Sequence, residues 1–163
     1  MATPDLRVLL AERGFSETGI TLRALCAETG RSLELYMVSE HTSLDHALQA
    51  YCPDAALLDL SLLQPDPPAA VRVLHQNHSF IPLIVFAAPA DKDSAVMCLE
   101  AGAKDYMLEG FMDVRTLDRV LHAAICGSQP DSRIATSRFL QKPYSPTTLA
   151  RAIREALDAQ NLE

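Results

Sequence analysis

The stretch PLIVFAA, Pro82 to Ala88, carries no polar side chain. A strand with one face in water alternates apolar and polar residues, so an unbroken run of this length is suited to burial on both faces. That is the mark of a parallel sheet covered by helices on either side. The flanking segments agree: AAVRVLHQN before it reads as a helix, and DSAVMCLEAGA after it reads as another, closed by Gly102.

Working outward, LRVLLA (Leu6 to Ala11), LELYMVS (Leu33 to Ser39), AALLDL (Ala55 to Leu60) and KDYML (Lys104 to Leu108) are the other strand candidates. The segment TGITLRALCAETG places Ile20, Leu22, Leu25 and Cys26 on one helical stripe, ended by Gly30. SLDHALQAY is a short helix with Ser43 as N-cap before Asp45 and His46. VRTLDRVLHAAI puts Val114, Leu117, Val120, Leu121 and Ala124 on its inner side. Five strand-helix units of this size imply an α/β, flavodoxin-like doubly wound parallel sheet in the order 2-1-3-4-5, because parallel crossovers are right-handed.

In such a sheet, sites form beyond the carboxyl ends of the strands, next to the switch point between strands one and three. Glu12 and Arg13 fall there after strand one, and Asp59 near the end of strand three. A carboxylate following Leu57 and Leu58 is costly to bury unless it emerges from the sheet's end. By position alone Asp59 has two readings: a functional group, or a cap that accepts backbone N–H bonds of the following loop.

Composition bounds the rest. The 163 residues, 48% hydrophobic, suffice for one good core. A net charge of −7 gives no general attraction to nucleic acid or to an anionic membrane. No apolar run approaches a membrane span and no signal-peptide stretch opens the chain, so a cytoplasmic protein is expected. Cys26, Cys52, Cys98 and Cys126 are widely spaced, with no CxxC pair and no His placed to complete a zinc site. They are read as reduced, mostly buried thiols. His75 and His78 in HQNH lack a nearby carboxylate or Cys in sequence, and His46 and His122 are read as partly buried surface residues.

The order and spacing of RVLLAERG, PDAALLDLSL, PLIVFAAPAD and CLEAGAKDYMLEG resemble the receiver domain of response regulators in two-component signalling, from about Leu6 to Ile125. The resemblance implies that Asp59 is the phosphoacceptor for a histidine kinase. It implies Mg²⁺ held by that aspartate, an acidic pair before it and a main-chain carbonyl, here Ser61. Phosphoryl transfer spreads negative charge that a metal and a cation must neutralise. Several of those parts are replaced here. The acidic pair falls on Glu12 and Arg13, and a guanidinium repels a metal that wants oxygen ligands. The hydroxyl residue at the end of strand four falls on Ala87, and the lysine after strand five falls on Glu109. A carboxylate there opposes a phosphoaspartate by Coulomb repulsion. The reading is a degenerate receiver with weak Mg²⁺ affinity, in which Arg13 stands in for the metal by pairing with Asp59 or Glu12.

The chain then writes a second ending. RFLQKPYSPTTLARAIREAL resembles the last strand and helix of receivers attached to hybrid kinases, including a Lys142-Pro143 step, and Ser145, Pro146, Leu149, Ile153 and Leu157 make a well-signalled helix. The organisation read from this is a receiver-like domain over 1–126, a linker over 127–137 and an added strand-helix unit over 138–163. As a sixth strand the unit holds Lys142 on the order of 14 Å from strand three, too far to serve Asp59. In place of strand five, within the chain or by exchange with a partner copy, it brings Lys142 within reach.

The functional expectation is a signalling module, not an enzyme, that works by protein-protein interaction with a histidine kinase or other signalling protein, with phosphorylation of Asp59 weak or lost. The runner-up is a working phosphoacceptor served by Lys142. A small flavodoxin-like enzyme is the third reading; no GxGxxG or GxxxxGK[ST] follows any strand, and Asp59 is not followed by a second aspartate two residues on. The resemblance also implies a partner or homodimer face made by Ala95 to Ala101, strand five and Val114 to Ala124.

Overall fold

The apolar runs become strands β1 (Leu6–Ala11), β2 (Leu33–Val38), β3 (Ala55–Asp59), β4 (Leu83–Ala87) and β5 (Asp105–Leu108). They pair in parallel in the order β2-β1-β3-β4-β5. Helices α1 (Glu17–Thr29), α2 (Leu44–Tyr51), α3 (Pro67–Asn77), α4 (Lys92–Ala101) and α5 (Val114–Cys126) connect or follow them. The structure is a computed structural model, and it describes residues 5–14 and 17–127. The expected unit at 138–163, with Lys142, lies outside the described residues.

Successive side chains of a strand leave on opposite faces, and both faces here are dry. Leu9, Ala11, Ala56, Leu58 and Val85 pack with Leu48 of α2, Leu74 of α3 and Cys98 of α4. Val8, Leu10, Leu57, Ile84 and Phe86 pack with Leu22 and Leu25 of α1 and Leu117 and Leu121 of α5. Every residue of β4 is buried, which is the reason PLIVFAA contains no polar side chain. Each fully buried Leu, Val or Phe of this kind contributes about 1.5–3 kcal/mol.

The helix ends follow local chemistry. Asp66 caps α3 by accepting from the Ala69 N–H at 3.0 Å, with Pro67 at the first helical position. Asp113 caps α5 by accepting from Thr116 N–H at 2.7 Å. Gly102 ends α4 at φ 125°, and a Cβ there would stand 2.6 Å from the His75 ring. Only glycine meets both demands.

Several expectations are corrected. Ile20 is 71% exposed; Thr18, not Ile20, joins Leu22, Leu25 and Cys26 on the buried side of α1. Ser43 precedes α2 but makes no side-chain cap, because a 3₁₀ turn over His41–Ser43 already gives it helical backbone angles. Only Cys26 and Cys98 are buried, while Cys52 and Cys126 are exposed and all four are free. His46 and His122 are exposed as well. His78 does have a carboxylate neighbour, because the fold brings Asp45 of α2 to 2.9 Å from its Nε2, and Asn77 Nδ2 donates to the same oxygen at 3.0 Å. Sequence distance hid this pair. Among the described residues no helix is long and apolar enough to cross a membrane.

Candidate functional site at the carboxyl edge

Strand register assembles the edge. Ala11 stands opposite both Val38 and Leu58, so Glu12 and Asp59, one residue further on, lie level on neighbouring strands. Glu12 continues the ladder by donating its N–H to the Val38 carbonyl at 2.9 Å, and its side chain is buried at 4% exposure. Asp59 stands opposite Phe86, and Ala87 opposite Leu108. The Glu109 N–H donates to the Ala87 carbonyl at 2.9 Å, which fixes Glu109 one residue beyond β5. Two strand spacings, roughly 10 Å, separate the β3 and β5 positions.

The fold therefore gathers Glu12, Asp59, Ala87 and Glu109 on one edge, as the spacing of the motifs predicts. Asp59 is half-buried, Ala87 is buried and Glu109 is exposed. Alternation gives Glu12 and Asp59 the same facing as Leu10 and Leu57, toward the layer of α1 and α5. Ala87 has the opposite facing, with Val85 and Leu58.

Asp59 is engaged locally. Its Oδ1 accepts from the Ser61 N–H at 2.9 Å and its Oδ2 from the Ser61 hydroxyl at 2.7 Å. This caps the 3₁₀ turn over Leu60–Leu63, so the capping reading of Asp59 describes the geometry present. The sequence reading took Ser61 only for its carbonyl and overlooked its hydroxyl. The available signal was Asp59 at the start of a loop, since an aspartate side chain commonly bonds the backbone N–H two residues on, and a serine there can add its hydroxyl.

Arg13 is exposed, and no ion pair among the described residues joins it to Asp59. The expected pairing of the Arg13 guanidinium with Asp59 is therefore not formed. A divalent cation at this edge would draw on the Glu12 and Asp59 carboxylates and the Ser61 carbonyl. Among the described residues no group of three or more His, Cys, Asp or Glu is arranged to hold a metal ion.

No protein-family model matches the chain. The transcriptional regulatory protein KdpE of Staphylococcus aureus is 31% identical over 117 residues, a span that is 67% of this chain and 49% of KdpE. The chain thus spans about half the length of that relative. Among solved structures, a response regulator receiver domain from Clostridium thermocellum superposes with a TM-score of 0.62 at 17% identity, covering 75% of this chain and 95% of that one. The receiver domain of the sensor histidine kinase PA1611 of Pseudomonas aeruginosa, which holds a magnesium ion in its active-site cleft, gives a TM-score of 0.59 at 24% identity over 74% of this chain and 98% of that one.

Proposed function

From the premise that this chain carries a receiver domain of the response-regulator kind, we propose that it signals by docking to other proteins, with phosphoryl acceptance at Asp59 weak or lost. The observation that carries this reading is the engagement of both Asp59 oxygens by Ser61. An acceptor must present a lone pair to phosphorus, and here each oxygen already gives one of its two lone pairs to a hydrogen bond, which lowers its nucleophilicity.

The surroundings supply little to offset that. Mg²⁺ prefers near-octahedral oxygen ligation, and this edge offers two carboxylates with a fixed cation, Arg13, in place of a third. The residues do not make a strong Mg²⁺ site. Ala87 has no hydroxyl to bond a phosphoryl oxygen, and Glu109 brings negative charge where the product would be negative. The partners proposed are a histidine kinase or another signalling protein, met on the α4, β5 and α5 face.

The test is incubation with acetyl phosphate and Mg²⁺, beside an Asp59→Asn control, read by intact mass. No adduct on a folded protein is the expected result. An adduct on the unsubstituted protein alone overturns the reading and makes Lys142→Ala the next variant.

A further inference from the structure

Helix α5 buries Leu117, Val120, Leu121 and Ala124. At about 100° per residue, Arg115, Arg119, His122 and Cys126 fall within roughly 60° of one another on the opposite side. All four are exposed. At the end of that stripe the Cys126 Sγ stands 3.6 Å from the His122 Nε2. With the ring proton on Nδ1, Nε2 is the acceptor for the thiol proton. No ion pair among the described residues engages Arg115 or Arg119. Like charges four residues apart repel, so the pair costs the helix a little while turning two guanidinium groups to solvent.

Cys52 supplies the contrast within the same chain. Both exposed thiols sit at the carboxyl end of a helix, where the dipole disfavours a thiolate equally. The Cys52 Sγ donates to the Gln49 carbonyl at 3.3 Å, a bond that only the protonated thiol makes. Asp54, two residues further on, adds negative charge. Cys126 has a proton acceptor where Cys52 has a carbonyl, and arginines where Cys52 has a carboxylate. Arg119 lies about 10 Å from Cys126 along the helix axis, comparable with the Debye length at 0.1 M salt. The chain as a whole carries −7, so a small anion meets repulsion over most of the surface and attraction along this stripe.

We propose that Cys126 is a thiol-disulfide exchange site for disulfides of small carboxylate-bearing thiols, with His122 as its proton acceptor and Arg119 as the group that draws the anion. His122 Nε2 takes the Cys126 proton, and the thiolate attacks one sulfur of the disulfide. A new S–S bond forms to Cys126 as the old one breaks, and the departing thiolate takes the proton back from His122. One disulfide enters and one mixed disulfide remains: the small disulfide is reduced to one free thiol, and Cys126 is oxidised. The inference stands apart from the state of Asp59 and from the docking reading.

The test incubates the reduced protein at pH 8 with glutathione disulfide and, separately, with uncharged 2-hydroxyethyl disulfide. Initial rates at each cysteine are read by peptide mass mapping. With the uncharged reagent Cys126 is expected to react about tenfold faster than Cys52, less than the 10²–10⁴ of an enclosed acid-base site because this pair is open to water. His122→Gln should bring Cys126 down to the Cys52 rate. Arg119→Gln should lower the ratio of the glutathione rate to the uncharged rate at Cys126 about three- to fivefold, the size of an exposed ion pair. Both substituted residues are exposed, and an unchanged Cys52 rate in each variant reports that the fold is kept. Equal rates at Cys52 and Cys126, a Cys126 rate indifferent to His122→Gln, or a ratio unmoved by Arg119→Gln overturns the proposal.

Discussion

Ser61 holds both oxygens of the Asp59 carboxylate, one through its backbone N–H and one through its hydroxyl. Ser61→Ala removes only the second bond. A stability loss of about 1 kcal/mol or less is expected, because the bond is solvent-accessible and the N–H contact survives. Urea denaturation of the variant beside the parent measures it.

Restoring the missing receiver features should restore acceptance. The combined variant Arg13→Asp, Ala87→Thr and Glu109→Lys supplies a metal carboxylate, a hydroxyl and a cation around Asp59. A single phosphoryl adduct with acetyl phosphate and Mg²⁺, absent when Asp59→Asn is added, is the expected mass-spectrometric outcome. In a folded triple variant without adduct, adding Ser61→Ala tests whether the clasp on Asp59 suppresses the chemistry.

Gly102 combines positive φ with a His75 ring that leaves no room for a Cβ. Gly102→Ala should cost about 2–3 kcal/mol from backbone strain and the clash together. His75→Ala in the same chain should return the steric part while the backbone part remains. A double-mutant cycle in denaturant separates the two.

Asp45 is held below its ordinary 3.8 by the Asn77 amide and then the His78 ring, which both bond its Oδ1. A depressed carboxyl stabilises the folded state at pH above its unfolded value and loses that contribution as pH falls through the folded value. Asp45→Asn should therefore lower the urea midpoint at pH 7, with the difference from the parent shrinking toward pH 3. A constant difference across that range would contradict the assignment.

Burial pushes the Cys98 thiol up to about 11, with the nearby Asp66 charge adding to the effect. Thiolate is the reactive form. At pH 8, Ellman's reagent should label exposed Cys52 and Cys126 quickly, leaving buried Cys26 and Cys98 until the protein is unfolded.

The sheet was legible because its signals are local and redundant. PLIVFAA, LRVLLA and AALLDL are mainly apolar runs suited to a doubly covered parallel sheet once helices alternate with them, and right-handed crossovers leave little freedom in strand order. The carboxyl-edge positions of Glu12, Asp59, Ala87 and Glu109 follow from the same counting. Helix faces were less legible where the stripe is ambiguous. Ile20 is apolar and at helical spacing, yet packing chose Thr18 for the buried side and left Ile20 in water.

What the sequence determined by itself was the order of elements and the residue types delivered to the edge, since both depend on short-range periodicity. What the tertiary structure alone decided were the pairings between distant groups and the orientations of short polar side chains. The Asp45 contact to Asn77 and His78 crosses more than thirty positions of chain. Arg13, at the same sheet edge as Asp59, makes no ion pair with it among the described residues. Charge arithmetic along a sequence says which groups attract, but backbone direction decides which of them meet. That β2 and β5 border the sheet of described strands is a tertiary fact of the same sort, because a strand is an edge only by virtue of where the other strands have gone.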